Sequence, residues 1–389
     1  MLGRGLARQG CGTVCVESMP GGPRFLNDAI LTSSPGVNIE VDPRHLDSKA
    51  AAGYGRGVPE DHAKPPAELD RSQHLAALHE GWATPLNIVA AAVGEVGKAP
   101  VLDLRRIVAG EQNEVYDVTV EGAPSLIVRI SHGRRESHDR EAWVLGQCAS
   151  RGIRAPRVHA LRRVEVGSEQ RSIIVMEKLP GERLCDVNPD ELDVRRVLGD
   201  VGAWLTELHS IPVQGFGYLD GSGVGKFPTM DDWLAGLTTG APVFEEAGRS
   251  VGLDAATIRG WLREIVDSFG ASPPRVALLH NDLLANHVLV HDGHLSGIID
   301  FGEVAAEPAA SDFARWDFQE GERFPVEWIQ AGYGDRSLFE APNDRTYRAL
   351  WLANGLWHLR WYYETGFRPG VEAGRDRLLS EPGRFPAKP

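Results

Sequence analysis

The segment Leu279–Glu303, LHNDLLANHVLVHDGHLSGIIDFGE, decides how the rest of the chain is read. Val288-Leu289-Val290 is a compact apolar run, and Leu295 to Ile299 is a second short strand. Between them, His291-Asp292-Gly293-His294 carries an Asp-Gly pair, a strong local signal for a two-residue hairpin turn. With that turn, His291 pairs with His294 and the register sets His287 opposite Ile298. Asp300 then falls beside Ala285 and Asn286, so Asp282, Asn286, His287 and Asp300 are expected at one end of a rigid hairpin. Hard ligands gathered there suit a divalent cation that also holds phosphates, because Mg²⁺ takes few protein ligands and completes its shell with substrate oxygens. A carboxylate on the approach loop, Asp282, is placed to orient a hydroxyl nucleophile, and phosphoryl transfer asks little more of a protein. A zinc hydrolase would want three tight protein ligands, a spacing that His280, His291 and His294 do not offer.

Working outward, 389 residues with 42% hydrophobic and 24% charged side chains indicate a globular protein of two or three domain-sized units. A net charge of −13 argues against nucleic acid or an anionic membrane as partner and is compatible with a cationic small molecule. No apolar run reaches the roughly 18 residues of a membrane span. Residues 10–22 are too polar for a signal-peptide core. Cys11, Cys15, Cys148 and Cys185 show no metal-site spacing, so a reduced, cytoplasmic protein is the simplest expectation. It is expected to be a monomer or weak dimer.

Residues 1–68 are rich in Gly, Pro, Ser, Asp and Arg without periodicity and read as a mobile extension. Asp70 to Val96 turns helical, with Leu75, Leu78, Trp82, Leu86, Val89 and Val93 at spacings of three and four. Three strands follow, at Leu104–Val108, Val115–Val120 and Ser125–Ile130. The loop containing Gly110 and Asn113 can aim backbone N–H groups at a phosphate, or serve as an ordinary hairpin loop. Arg129 stands in an apolar strand, where a surface charge is the ordinary reading, but Glu141 on the inner face of the next helix is a possible partner. A further strand, Arg171–Met176, leads into a reversal at Glu177–Gly181. The first unit, 69–180, is thus a small antiparallel sheet with one helix. Beyond it, 181–389 reads as mainly helical. One helix starts with Asn188 as cap and ends near His209, others lie near Met230–Leu237 and Ala255–Phe269, and Ser311-Asp312 and Arg345–Tyr363 supply the last. Phe216–Pro228 reads as a Gly-rich loop and the tail from Phe367 as loose.

His280-Asn281-Asp282 with His287 five residues further on, followed by Ile299-Asp300-Phe301-Gly302-Glu303, resembles the catalytic segment of the aminoglycoside phosphotransferase family, small-molecule relatives of protein kinases. The likeness runs from about Leu102 to Tyr363. It implies an α+β, two-lobed, protein-kinase-like fold with a small antiparallel sheet lobe and a larger helical lobe. By the same likeness Asp282 is the catalytic carboxylate, Asp300 a metal ligand, Arg129 the phosphate-contacting cation paired with Glu141, and Met176 and Glu177 the hinge that binds adenine. His287 stands where most of the family has Asn as second metal ligand, a pattern similar to macrolide phosphotransferases; Asn286 is the alternative. Asp312 is read as a helix cap. The resemblance implies ATP or GTP as donor with Mg²⁺, and phosphorylation of an aminoglycoside-type antibiotic as a resistance activity. A macrolide kinase, a metabolic sugar or amino-alcohol kinase and a non-catalytic pseudokinase are the alternatives. Ten acidic residues lie between His280 and Gln330 against Arg315 and Arg323, and Glu303, Glu307, Asp317 and Glu320 are the candidates to receive substrate ammonium groups. Trp316, Trp351, Trp357, Trp361, Tyr362 and Tyr363 either wall the pocket or fill the core.

Overall fold

The strand pattern of the first half builds a five-stranded antiparallel sheet. The computed structural model describes residues 71–82, 84–97, 99–108, 110, 112–132, 138–188, 193–269, 274–340 and 343–385, all within one compact unit. The sheet comprises β1 (Val101–Ile107), β2 (Asn113–Val120), β3 (Leu126–Ser131), β4 (Val158–Val166) and β5 (Glu169–Glu177), in the order β1-β2-β3-β5-β4. β4 is one strand more than the sequence reading contains, an edge strand whose half-exposed, Arg-bearing sequence hides its pattern. Period-two alternation sorts the side chains of β3 and β5 to two faces. Val128, Ile130, Ile173 and Val175 pack against Val89 and Val93 of α2 (Leu86–Gly97). Ile174 and Met176 face the other way, onto Val144, Leu145 and Cys148 of α3 (Asp139–Arg151). Both faces are therefore buried, which is why these strands read as continuous apolar runs. Arg129 alternates with Val128 and Ile130, so it faces α3 and the cleft rather than solvent and is only 7% exposed.

α1 (Arg71–Glu80) lies against both halves of the protein: His79 Nε2 donates to the Gly110 carbonyl at 2.6 Å, and Arg71 donates to the Tyr362 hydroxyl at 2.6 Å. After β6 (Glu182–Arg183) comes α4 (Val194–Leu208), capped by Asp193, whose carboxylate accepts from the Arg196 N–H. The cap assigned to Asn188 precedes residues 189–192, which lie outside the described residues. The presumed Gly-rich loop is a hairpin, β7 (Phe216–Leu219) and β8 (Gly225–Phe227), held because β7 pairs with β12 (Ala305–Pro308) and β12 with β9 (Val276–Leu279). α5 (Met230–Thr239), α6 (Ala241–Ser250) and α7 (Ala255–Ser268) follow β8. β10 (Val288–His291) and β11 (His294–Ile298) form the expected Asp-Gly hairpin. His291 pairs with His294 and Val290 with Leu295, but a bulge at Ser296 shifts the register so that Val288, not His287, faces Ile298. α8 (Ala310–Glu320), α9 (Val326–Gly332) and the long α10 (Asp344–Glu364) complete the helical lobe. The tail is not loose: α11 (Arg368–Leu379) packs Val371 and Leu378 into the core, and α12 (Glu381–Arg384) follows it. α4 and α9 approach closely at Gly202 and Gly332, where a Cβ on either would overlap the other helix's backbone. Trp316 and Trp351 are fully buried, which places them in the core and not on a pocket wall. No described helix is long and apolar enough to cross a membrane.

Candidate active site

The site forms where the loop between β9 and β10 meets the segment after β11. Asp312 fixes the loop: its carboxylate accepts the N–H groups of His280 at 3.0 Å and Asn281 at 2.8 Å, and takes a third bond from His209 Nε2 at 3.1 Å. It does this from inside α8 and does not cap that helix, so the cap assignment is corrected. Burial opposes ionisation of Asp312, but these donors hold its carboxyl below the usual range. His280 Nε2 donates to the Ile299 carbonyl at 3.0 Å, which leaves Nδ1 to accept the Asp282 N–H at 3.3 Å. Burial pushes His280 down to about 4, consistent with the neutral ring this pattern requires. Asn281 (φ 60°) and Asp300 (φ 70°) both adopt the left-handed conformation, a strained choice for non-glycine residues that the surrounding bonds enforce.

These constraints bring Asp282, His287 and Asp300 together. His287 Nδ1 donates to the Asp282 backbone carbonyl at 2.6 Å. In the neutral ring Nε2 is therefore a lone-pair donor, and it faces Asp300 Oδ2 at 3.5 Å. The other oxygen of Asp300 accepts from Arg129 at 2.8 Å, while the second arm of the same guanidinium binds Glu141 at 2.5 Å. Arg129 thus bridges two carboxylates with its planar fork, a task the point charge of lysine would do less well. Burial disfavours the Asp300 carboxylate, yet Arg129 and the nearby histidines hold it far below its ordinary value; burial raises Glu141 despite Arg129. His287 Nε2 and Asp300 Oδ2 are a donor pair that fits a hard divalent cation needing further oxygens from a bound phosphate. Among the described residues no group of three His, Cys, Asp or Glu could hold a metal by itself. Asn286 is partly exposed beside them.

The other candidates from the sequence make the following contacts. Gly110 has its carbonyl tied to His79, and Asn113 is turned inward, its Oδ1 3.3 Å from His138 Nε2. Met176 buries its side chain in the core, and the Glu177 N–H is engaged by the Arg157 carbonyl at 2.8 Å. Asp317 is 3% exposed and bound to Arg384 at 3.0 Å and Tyr347 at 3.3 Å. Glu320 sits behind the loop, accepting the Ala285 N–H at 3.1 Å. Glu303 does border the cleft, where it accepts from Gln112 of the sheet lobe at 3.2 Å. Glu307 is raised by burial to about 7. Sequence reasoning missed Arg315, whose NH1 stands 3.6 Å from Asp282 Oδ1. The signal was available: it lies one helical turn beyond Asp312, on the helix face already tied to the loop.

A sheet lobe and a helical lobe meeting at a carboxylate-rich loop define a kinase-like phosphotransferase. The chain belongs to the phosphotransferase enzyme family, whose APH model matches residues 103–348. No curated protein matches the chain. Among solved structures it is similar to a thermostable mutant of aminoglycoside phosphotransferase APH(4)-Ia in ternary complex with AMP-PNP and hygromycin B. That match has a TM-score of 0.64 and 19% identity, covering 77% of this chain and 99% of that one. The GDP complex of wild-type aminoglycoside 2'-phosphotransferase-IIIa matches with a TM-score of 0.57 and 16% identity, covering 78% and 99%. The gentamicin–APH(2")-IIa complex matches with a TM-score of 0.54 and 18% identity, covering 76% and 96%. At these identities the likeness establishes the fold.

Proposed function

We propose that the protein transfers the γ-phosphoryl group of ATP or GTP to a hydroxyl of an aminoglycoside-type antibiotic, and so confers resistance. The observation that carries this reading is the convergence of Asp282, His287 and Asp300 on one loop-and-hairpin mouth. Asp282 orients the acceptor hydroxyl and receives its proton. Arg129, braced by Glu141, keeps positive charge beside Asp300 at the phosphate end. His287 and Asp300 would hold Mg²⁺, which when bound supplies positive charge to the transferring phosphates. Both adenine and guanine nucleotides occur in the similar structures, and hygromycin B and gentamicin are bound in two of them, which supports the donor and acceptor classes.

The test is turnover of Mg-ATP and Mg-GTP against aminoglycosides, macrolides and small amino alcohols, repeated with Asp282→Ala. Loss of at least about a hundredfold in the variant, with an aminoglycoside as the best acceptor, is expected. Nucleotide binding with no turnover of any acceptor would replace this reading with that of a ligand-binding protein.

A further inference from the structure

The acidity of the segment from His280 to Gln330 suggests a cleft built for ammonium groups, but the fold engages most of those carboxylates elsewhere. Asp312 and Glu320 hold loop backbone, Asp317 is bound to Arg384, and Asp300 is bound to Arg129. Glu303 accepts from Gln112, and burial of Glu307 favours its protonated form. Glu322 and Glu327 pair with Arg377 and Arg384, and Asp292 lies in the exposed hairpin turn, which leaves Asp282, and beside it stands a cation. The Arg315 guanidinium is 3.6 Å from Asp282 Oδ1, too long for a good hydrogen bond, and its Nε is buried without a partner. Its side chain is 19% exposed, on a helix anchored to the same loop through Asp312. A partly exposed positive group is thus fixed beside Asp282.

We propose that Arg315 is a specificity-determining residue: its guanidinium occupies the position beside Asp282 that a substrate ammonium would take, so the phosphorylated hydroxyl is flanked by neutral or anionic oxygen, not by an amine. This rests on the reading of Asp282 as the residue that receives the acceptor hydroxyl. An ammonium pairing with Asp282 would stand about 4 Å from Arg315, and like-charge repulsion at that distance weakens binding about fivefold even with the full screening of water. A neighbouring hydroxyl or carboxylate would instead accept from the guanidinium. An aminoglycoside acceptor accordingly presents a ring edge without an amine adjacent to the reacting hydroxyl.

Two all-equatorial cyclitols serve as matched probes: 2-deoxystreptamine, with amines beside two of its three hydroxyls, and scyllo-inositol, with hydroxyls throughout. Their dissociation constants are measured by calorimetry or ligand-observed NMR on the full chain, for wild type, Arg315→Gln and Arg315→Lys. Relative to Arg315→Gln, wild type should favour scyllo-inositol over the amine by about fivefold. The Gln variant should lose that preference by gaining affinity for the amine, and the Lys variant should retain it. An unchanged ratio in the Gln variant, a wild-type preference for the amine, or binding of neither ring overturns the proposal. Should Arg315→Gln fail to fold, Asp282→Asn gives the same decision, since removing the carboxylate must widen the preference against the amine. Turnover is followed in parallel: the expected binding order without phosphorylation of any acceptor would defeat the phosphotransfer reading while the charge selection stands.

Discussion

Replacing Arg129 with Met should destabilise the protein strongly, and the reason is the charge it leaves behind. Glu141 is 2% exposed, and one of its oxygens, Oε2, is already buried without a partner. Its other oxygen takes the Arg129 bond at 2.5 Å. Removing one partner of a buried pair typically costs about 3–5 kcal/mol, because the surviving ion is desolvated and uncompensated. That corresponds to a factor of about 10²–10⁴ in the folding equilibrium. Urea unfolding at pH 7, followed by circular dichroism, measures it directly. Burial raises the Glu141 carboxyl, and the loss of Arg129 raises it further, so the folded state binds a proton that the unfolded state releases. The Glu141 contribution to the variant's stability should therefore fall as pH rises above the carboxyl's ordinary value of 4.5. The double variant Arg129→Met, Glu141→Leu removes both charges and should recover most of the loss, while nucleotide binding stays impaired because Asp300 still lacks its guanidinium partner. A single-variant cost below about 1 kcal/mol, or a double variant no more stable than the single, would refute the reasoning.

Three further outcomes follow from the geometry. His287→Ala should raise the Mg²⁺ concentration for half-maximal activity by about tenfold or more, whereas His287→Asn should restore most of it; equal damage in both would rule out a ligand role. Glu114 is fully buried, and although burial favours its neutral form, bonds from His132, Tyr116 and Thr84 hold its carboxyl at about 2 instead of 4.5. The unfolded chain thus binds more protons between those values, so on the order of 3 kcal/mol of stability is present above pH 4.5 and lost as pH falls toward 2. Glu114→Gln should flatten that part of an acid-unfolding curve. Gly202→Ala places a methyl group against the backbone of Ile329, so α4 and α9 must separate. A loss of about 1–3 kcal/mol in denaturant unfolding is expected, and an unchanged midpoint would show that the helices are free to part.

The features legible in the sequence were those set by neighbours along the chain. The Asp-Gly turn between His291 and His294, the helix bearing Glu141 and the α10 helix follow from turn chemistry and periodicity. β4, the β7–β8 hairpin and α11 were not legible: each has a weak local signal, and β7 is held by β12, far off in sequence. The bulge at Ser296 likewise arises where the hairpin must fit its surroundings, and it shifts His287 by one place. For the site, the sequence by itself determined which ligand-bearing residues flank the hairpin and so the kind of chemistry to expect. Only the tertiary structure decided the state of each charge: that Arg129 faces Glu141 and Asp300, that Asp317 and Glu320 turn away, and that Arg315 stands against Asp282. The physical reason is that an ion's energy depends on its distance to other charges and on its exposure to water, and the number of residues between two charges sets neither.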